Sequence, residues 1–344
     1  MNGGTGVGVA DAHHGELLQG VFLDAEGRRC AGLVTLPLRG LGTRARFVRR
    51  PGPGVSVVPA DRTKALRAAG MAVGECCHGR RVLCDGGELT LESTVPVGLG
   101  MGSSSSDVVA AIRAVAAAFG VALPAGTVAR IAVRAETACD PLMLGDGRPA
   151  LFAQREGRVL DVLGDALPGA VVVGCALGGG RPVDTLALAG ADPEAYGEED
   201  VRAYADLLAL LRRAVREGDA GLLGRVATGS ARLGQRRLRH AEFDELVEVA
   251  GRTGAVGVQI AHSGSVAGLL FDPAADGGPE RRVRGCLRAL AGLGIPVTRI
   301  FRTDDGGRGH GAPEEWERHG RAHSGRGRQA RSGAAGGRAR LPAL

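Results

Sequence analysis

The chain has 344 residues, 44% of them hydrophobic but only 3% aromatic. That length suits two domains rather than one, and a core so poor in aromatics must be built from Val, Leu, Ala and Ile, as in layered α/β structure. The formal net charge of +6 is concentrated in the arginines beyond Arg302, and base-stacking aromatics are nearly absent, so nucleic-acid binding is confined to the tail and excluded as a reading of the fold.

In chain order, the spacing predicts a turn leading into a strand over Gly15–Leu23, strands over Gly32–Leu38 and Ala45–Val48, and a helix over Thr63–Val73. Glu88–Ser93 alternates polar and apolar residues, the period of a half-buried strand. A glycine- and serine-rich run from Pro96 to Ser106 follows directly. Val108, Val109, Ile112, Val115, Ala116 and Phe119 then recur at helical spacing, and Gly120 is a C-terminal stop. A second helix covers Ala125–Glu136, after Pro124. Further on come a buried strand over Ala170–Val173 and helices over Glu198–Glu217, Ala220–Leu233, Glu242–Arg252 and Glu280–Leu293. Strands are expected over Val266–Phe271 and Pro296–Phe301. The pattern resets around Gly164–Gly169, which divides the chain into domains 1–164 and 165–302. Residues 303–344 are Gly, Arg, Ala and Ser without periodicity. They cannot bury enough apolar area to offset their ordering entropy and read as a disordered tail, or as a non-native translated segment.

Seven cysteines show no spaced framework, which reads as reduced thiols in a cytoplasmic protein. No basic start precedes an apolar run, so no signal peptide is expected. No apolar stretch reaches the roughly 18–20 residues of a spanning helix.

The run Pro96-Val97-Gly98-Leu99-Gly100-Met101-Gly102-Ser103-Ser104-Ser105-Ser106 has the makings of a phosphate cradle. Its glycines let backbone approach phosphate oxygens, successive N–H groups can point inward, and the helix that follows adds partial positive charge at its start. Its serines supply hydroxyls for capping or for Mg²⁺. The run is neither a Walker A loop nor a Rossmann turn, and the only lysine of the chain is Lys64.

With Asp107, this segment resembles the second motif of the GHMP kinase superfamily, P-x-x-x-G-L-G-S-S-A-A, with Met101 in place of Leu and Ser105 and Ser106 where Ala or Thr is common. His14-Gly15-Glu16-Leu17-Leu18-Gln19-Gly20 resembles the first motif of the L-threonine kinases of cobalamin synthesis and propanediol utilisation, G-T-x-G-E-L-x-Q-G. Its second half matches, while Ala12, His13 and His14 replace small and hydroxyl residues. Gln259 to Leu270, with Ala261-His262-Ser263-Gly264-Ser265 at its centre, resembles the C-terminal glycine motif of the same subgroup.

The resemblance implies an α+β, two-domain GHMP kinase fold: a ribosomal-protein-S5-like N-terminal α/β domain that binds ATP and a ferredoxin-like C-terminal α+β domain. It implies that Pro96, Gly98, Leu99, Gly100, Met101, Gly102 and Ser103 to Ser106 hold the nucleotide, and that Ser104 and Glu136 hold Mg²⁺. Asp140 would orient the acceptor hydroxyl and take its proton. Glu16, Gln19, His262, Ser263 and Gly264 would shape the substrate pocket. Adjacent His13 and His14 have no Cys or carboxylate beside them in sequence and so carry no metal signature. The implied reaction is ATP-dependent phosphorylation of L-threonine or a close analogue. The alternatives are a kinase of another alcohol, homoserine-like or from secondary metabolism, and a non-catalytic binding protein of the same fold. The expected partner is a small hydroxy amino acid, with no membrane and no nucleic acid, and a homodimer is left open.

Overall fold

In the computed structural model the described residues are 4–78, 85–145, 147–178, 192–261, 264–276 and 278–304, with the backbone of 309–310 and 339–340. The first strand, β1 (Thr5–Leu23), is one long element rather than a turn leading into a strand. It pairs antiparallel with β2 (Arg29–Arg50), which merges the two separate strands expected there. Next come β3 (Val55–Val58), α1 (Thr63–Cys77) and β4 (Gly86–Ser93). Helices α2 (Ser103–Ala118) and α3 (Ala125–Glu136) follow, then β5 (Ala150–Ala153) and β6 (Arg158–Val162).

The first half of β1 lacks the usual strand pattern because its inward positions are glycines. Gly6, Gly8, Ala10 and Ala12 are buried, while Val7 and Val9 face outward. A Cβ on Gly4, Gly6 or Gly8 would overlap the backbone of α2 at Ala118, Ala114 and Ala110 respectively. The next pair in the series is a hydrogen bond, Ser106 Oγ to Ala10 O at 2.9 Å. Two residues of strand thus match four residues of helix, advances of about 6.6 and about 6 Å. Helix α2 lies along β1 with almost no side chain between them. With α1, α3, Phe47 and Phe152 it forms the first core cluster.

After β6 the chain enters β7 (Val171–Ala176), then α4 (Glu198–Glu217), α5 (Ala220–Gly234), α6 (Phe243–Thr253), β8 (Gly257–Ile260), β9 (Val266–Phe271), α7 (Pro279–Gly292) and β10 (Val297–Arg302). Two-residue strands β11 (Gly309–His310) and β12 (Ala339–Arg340) lie in the tail segment and pair with β10 and β3. The first sheet has seven strands in the order β12-β3-β4-β2-β5-β6 with β1 on β2, and the second has five in the order β11-β10-β7-β9-β8. A second core cluster joins them: Leu17, Leu18 and Val21 of β1 pack with Leu222 and Leu223 of α5 and with Val266 and Leu270 of β9. Helices α6 and α7 pack on the outer core of the second sheet. Among the described residues no helix is long and apolar enough to cross a membrane.

Gly8→Ala is expected to push α2 off β1 and cost about 1–3 kcal/mol, as overpacking does. Gly70→Ala, inside α1 with nothing within 4 Å of the added methyl, is expected to stabilise by about 0.5–1 kcal/mol. Chemical denaturation of the two variants checks both signs, and a stable Gly8→Ala protein would mean that the close packing is not needed.

Candidate active site

The loop between β4 and α2 makes three left-handed turns, at Gly98, Gly100 and Gly102, with φ of 81°, 79° and 72°. Only glycine takes these angles without strain. Leu99 O accepts N–H groups from Ser265 and Val266, both at 3.1 Å. A Cβ on Gly100 would lie 2.7 Å from Gly264 Cα. The third motif therefore meets the second backbone to backbone. Gly102 is the N-cap of α2 and no side chain caps this helix, so its first N–H groups remain directed at whatever lies in front of them.

In front lies a cavity of about 590 Å³. Gly98, Gly100, Met101, Gly102, Ser103, Ser104 and Ser105 line it, together with Gln19, Glu136 and Asp140. Pro96, Leu99 and Ser106 do not. Leu99 is in the second core cluster and Ser106 is tied to β1. Glu16 is buried beside His13 rather than on the wall, and Gly264 backs the loop. His262 and Ser263 lie outside the described residues.

Glu136, the last residue of α3, is buried against the start of α2. Ser104 Oγ donates to its Oε2 at 2.6 Å and Ser105 Oγ to its Oε1 at 2.8 Å. Burial, aided by the charge of Asp140, pushes its carboxyl up to about 7 against the opposing pull of the two serines and Lys64. Thr137, at φ 76°, breaks the helix and turns the chain toward Asp140. The Asp140 backbone N–H donates to Ser105 Oγ at 3.2 Å.

Sequence reasoning gave His13 no carboxylate partner, and the fold supplies two. His13 Nε2 lies 3.1 Å from Asp140 Oδ2, and Nδ1 lies 3.9 Å from Glu16 Oε1 and 3.2 Å from Gly15 O. Both ring nitrogens face acceptors, so the imidazolium form satisfies both. Burial alone would lower the histidine, but the charge and contact of Asp140 outweigh it and raise it to about 9. In turn, burial would raise Asp140, but the His13 charge holds it below the usual carboxylate range. His13, Glu16 and Asp140 present metal-capable atoms within 4.8 Å of one another, an arrangement already accounted for by this ion pair. His14 points the other way, into the second sheet, where its ring meets Phe301 at a tilt of 49° and contacts Gln259 and Thr298. Burial pushes it down to about 4, so it is a neutral structural histidine.

Motif one owes its glycines to close approaches. Gly15 is at φ 68° against Gln259 and Ala261, and Gly20 leaves room for the ring of Tyr204. The chain's two tyrosines, Tyr196 and Tyr204, line the far wall with Arg155 and Arg237. None of these four carries a motif or spacing that marks it as a site residue. At the near end Arg62 and Lys64 of the α1 start had no site role in the sequence reading, and Asp107, quoted with the second motif, is buried, accepts from Thr43 Oγ1 at 2.6 Å and pairs with Arg62 Nε at 3.5 Å. The one available signal was the solitary lysine.

Because the fold favours the neutral Glu136 carboxyl, the unfolded chain gives up that proton first, from about pH 4.5. The contribution to stability is therefore full below 4.5 and is lost as pH rises toward 7. Glu136→Gln is expected to leave stability unchanged at pH 4 and to raise it by about 3 kcal/mol at pH 8. Denaturant midpoints at the two pH values test this, and equal shifts at both would remove the buried charge as the cause.

No curated protein sequence matches the chain. A family model for the GHMP kinases N terminal domain matches residues 64–145, and one for the GHMP kinases C terminal matches residues 211–283. Among solved structures, homoserine kinase from Cytophaga hutchinsonii is 15% identical at a TM-score of 0.61, covering 88% of this chain and 95% of that one. L. major mevalonate kinase, solved with R-mevalonate, is 17% identical at 0.58, covering 87% and 94%. Streptococcus pneumoniae phosphomevalonate kinase, solved with phosphomevalonate and AMPPNP, is 10% identical at 0.62, covering 87% and 99%. Models of both GHMP kinase domains match in chain order, and the chain has the two-domain α+β GHMP kinase fold.

Proposed function

We propose that the protein is an ATP-dependent kinase that phosphorylates the side-chain hydroxyl of L-threonine or a close hydroxy amino acid. The observation that carries this reading is the meeting, in one cavity, of an uncapped helix start, a Ser104–Glu136 pair and an ionised Asp140. The backbone N–H groups at the start of α2 suit the phosphates of ATP. Ser104 Oγ and Glu136 Oε2 form a hard, all-oxygen donor pair that fits Mg²⁺. When bound, that ion neutralises phosphate charge. Asp140 orients the acceptor hydroxyl and takes its proton. The acceptor oxygen bonds to the terminal phosphorus, the bond from that phosphorus to the bridging oxygen breaks, and ADP leaves with the electron pair. His13 fixes the Asp140 carboxylate and keeps it ionised.

A hydroxy amino acid suits the far wall. Gln19 Oε1 is buried without a hydrogen-bond partner, available for an ammonium group. Arg237, stacked 3.5 Å over Tyr196, is available for a carboxylate. In this reading residues 1–164 form the ATP-binding domain and 165–302 the C-terminal domain. The threonine kinase resemblance points to cobalamin biosynthesis, and the free buried cysteines suit a cytoplasmic setting.

An ADP-release assay over L-threonine, L-homoserine, L-serine, mevalonate and sugars, with and without Mg²⁺, tests the reading. L-threonine is expected to give the highest kcat/KM. A higher value with another alcohol would replace the acceptor, and no release with any would leave a binding protein of this fold. Asp140→Asn is expected to lower kcat by roughly 10²–10⁴ with a much smaller change in KM. Near-normal turnover would rule out Asp140 as the base.

A further inference from the structure

The chain has 43 basic residues of the Lys and Arg types, and Lys64 is the one lysine among them. It occupies the second position of α1, after the N-cap Arg62, in a first turn without any acidic residue. Cations at a helix start oppose the helix dipole and are ordinarily avoided there. This start is turned onto the same cavity as the start of α2, so two positive helix ends and a lysine converge on one space.

The other cations around the near end are committed. His13 is held by Asp140, and Arg62 by Asp107. Lys64 has only a long contact, Nζ to Glu136 Oε2 at 4.0 Å, and its side chain is 32% exposed. It lines the same cavity as the serine loop, and its charge favours the ionised forms of both Glu136 and Asp140. A flexible stem carrying a compact charge with three donors suits a phosphate whose oxygens shift during transfer.

We propose that Lys64 is a catalytic residue that contacts the terminal phosphate of ATP and neutralises the charge on the phosphoryl group as it passes to the acceptor. The inference rests on the kinase reading above and adds to it the cation that this loop, unlike a Walker A loop, does not carry. The Arg62–Asp107 pair anchors the helix start from which the lysine reaches.

Two measurements test it. Lys64→Met keeps the stem and removes the charge. It is expected to lower kcat/KM by about 10²-fold or more, to weaken ATP binding while leaving AMP binding unchanged in calorimetry, and to leave the thermal midpoint equal or higher because a cation has left a helix start. A purely structural lysine would instead lower the midpoint and shift ATP and AMP affinity alike. In the wild-type protein a single lysine confines side-chain amine acetylation to one position, which peptide mapping separates from the α-amine. ATP is expected to slow acetylation of Lys64, followed by peptide mass spectrometry, in proportion to occupancy, and AMP to slow it far less. Wild-type transfer with a Lys64→Met variant active within about threefold, or acetylation indifferent to ATP despite calorimetric ATP binding, would overturn the role of Lys64 alone. A wild-type protein that neither binds ATP nor releases ADP would overturn the kinase reading, and the inference with it.

Discussion

The close packing of α2 on β1 is the constraint on which the rest of the molecule depends. Gly4, just before the strand, and Gly6 and Gly8 within it leave no side chain between this stretch and Ala118, Ala114 and Ala110 of the helix. Helix position is then set by backbone contact, to fractions of an ångström rather than by side chains that can repack. The same register delivers Ser106 to Ala10 and places Gly102 beside His13, where a Cβ would lie 2.5 Å from the imidazole Cδ2. Beyond that point β1 changes register between His13 and Glu16 and again before Leu18. Its second half enters the core shared with the second sheet. One strand therefore fixes the phosphate end of the cavity with its first half and supplies Gln19 and Gly20 to the acceptor end with its second.

Much of the fold was legible because most elements obey one pattern. Helices Ala125–Glu136 and Glu198–Glu217 and strand Val266–Phe271 have the bounds that spacing predicts. The start of β1 was not legible because its inward residues are glycines and its valines face out, the reverse of a half-buried strand. Strand β5, fully buried, has only four residues, too few for a period to show. Helix α2 begins at Ser103 rather than at its first valine, because serines 103 to 106 supply the helical first turn that the apolar period could not reveal.

The candidate site divides in the same way. Ser104, Glu136 and Asp140 came from the resemblance of the glycine–serine loop and the segment after it to the GHMP kinase motifs, and the structure sets them around one cavity. His13 was passed over because its partner Asp140 is brought to it only by the fold, and a pair distant in sequence has no spacing to read. Lys64 was given no site role, and Asp107 was read only as the end of a motif, for a related reason. Each lies on a helix whose apolar face is regular, and neither disturbs the period that announces the helix.

The site departs from the local rules that the remainder of the chain keeps. A helix start without a side-chain cap, a cation in the first turn of α1, a carboxyl buried until its pKa nears neutrality and a histidine charged in the interior are each unfavourable in isolation. They lie within one cavity, and each relieves another: Ser104 and Ser105 donate to Glu136, Asp140 balances His13, and Lys64 offsets both acids. Lys64 reaches Glu136 only at 4.0 Å, and no side chain caps the start of α2. In the proposed kinase reading, the phosphate chain of ATP is the ligand that this uncapped helix start suits. Unfavourable local choices of this kind gather where a ligand compensates them.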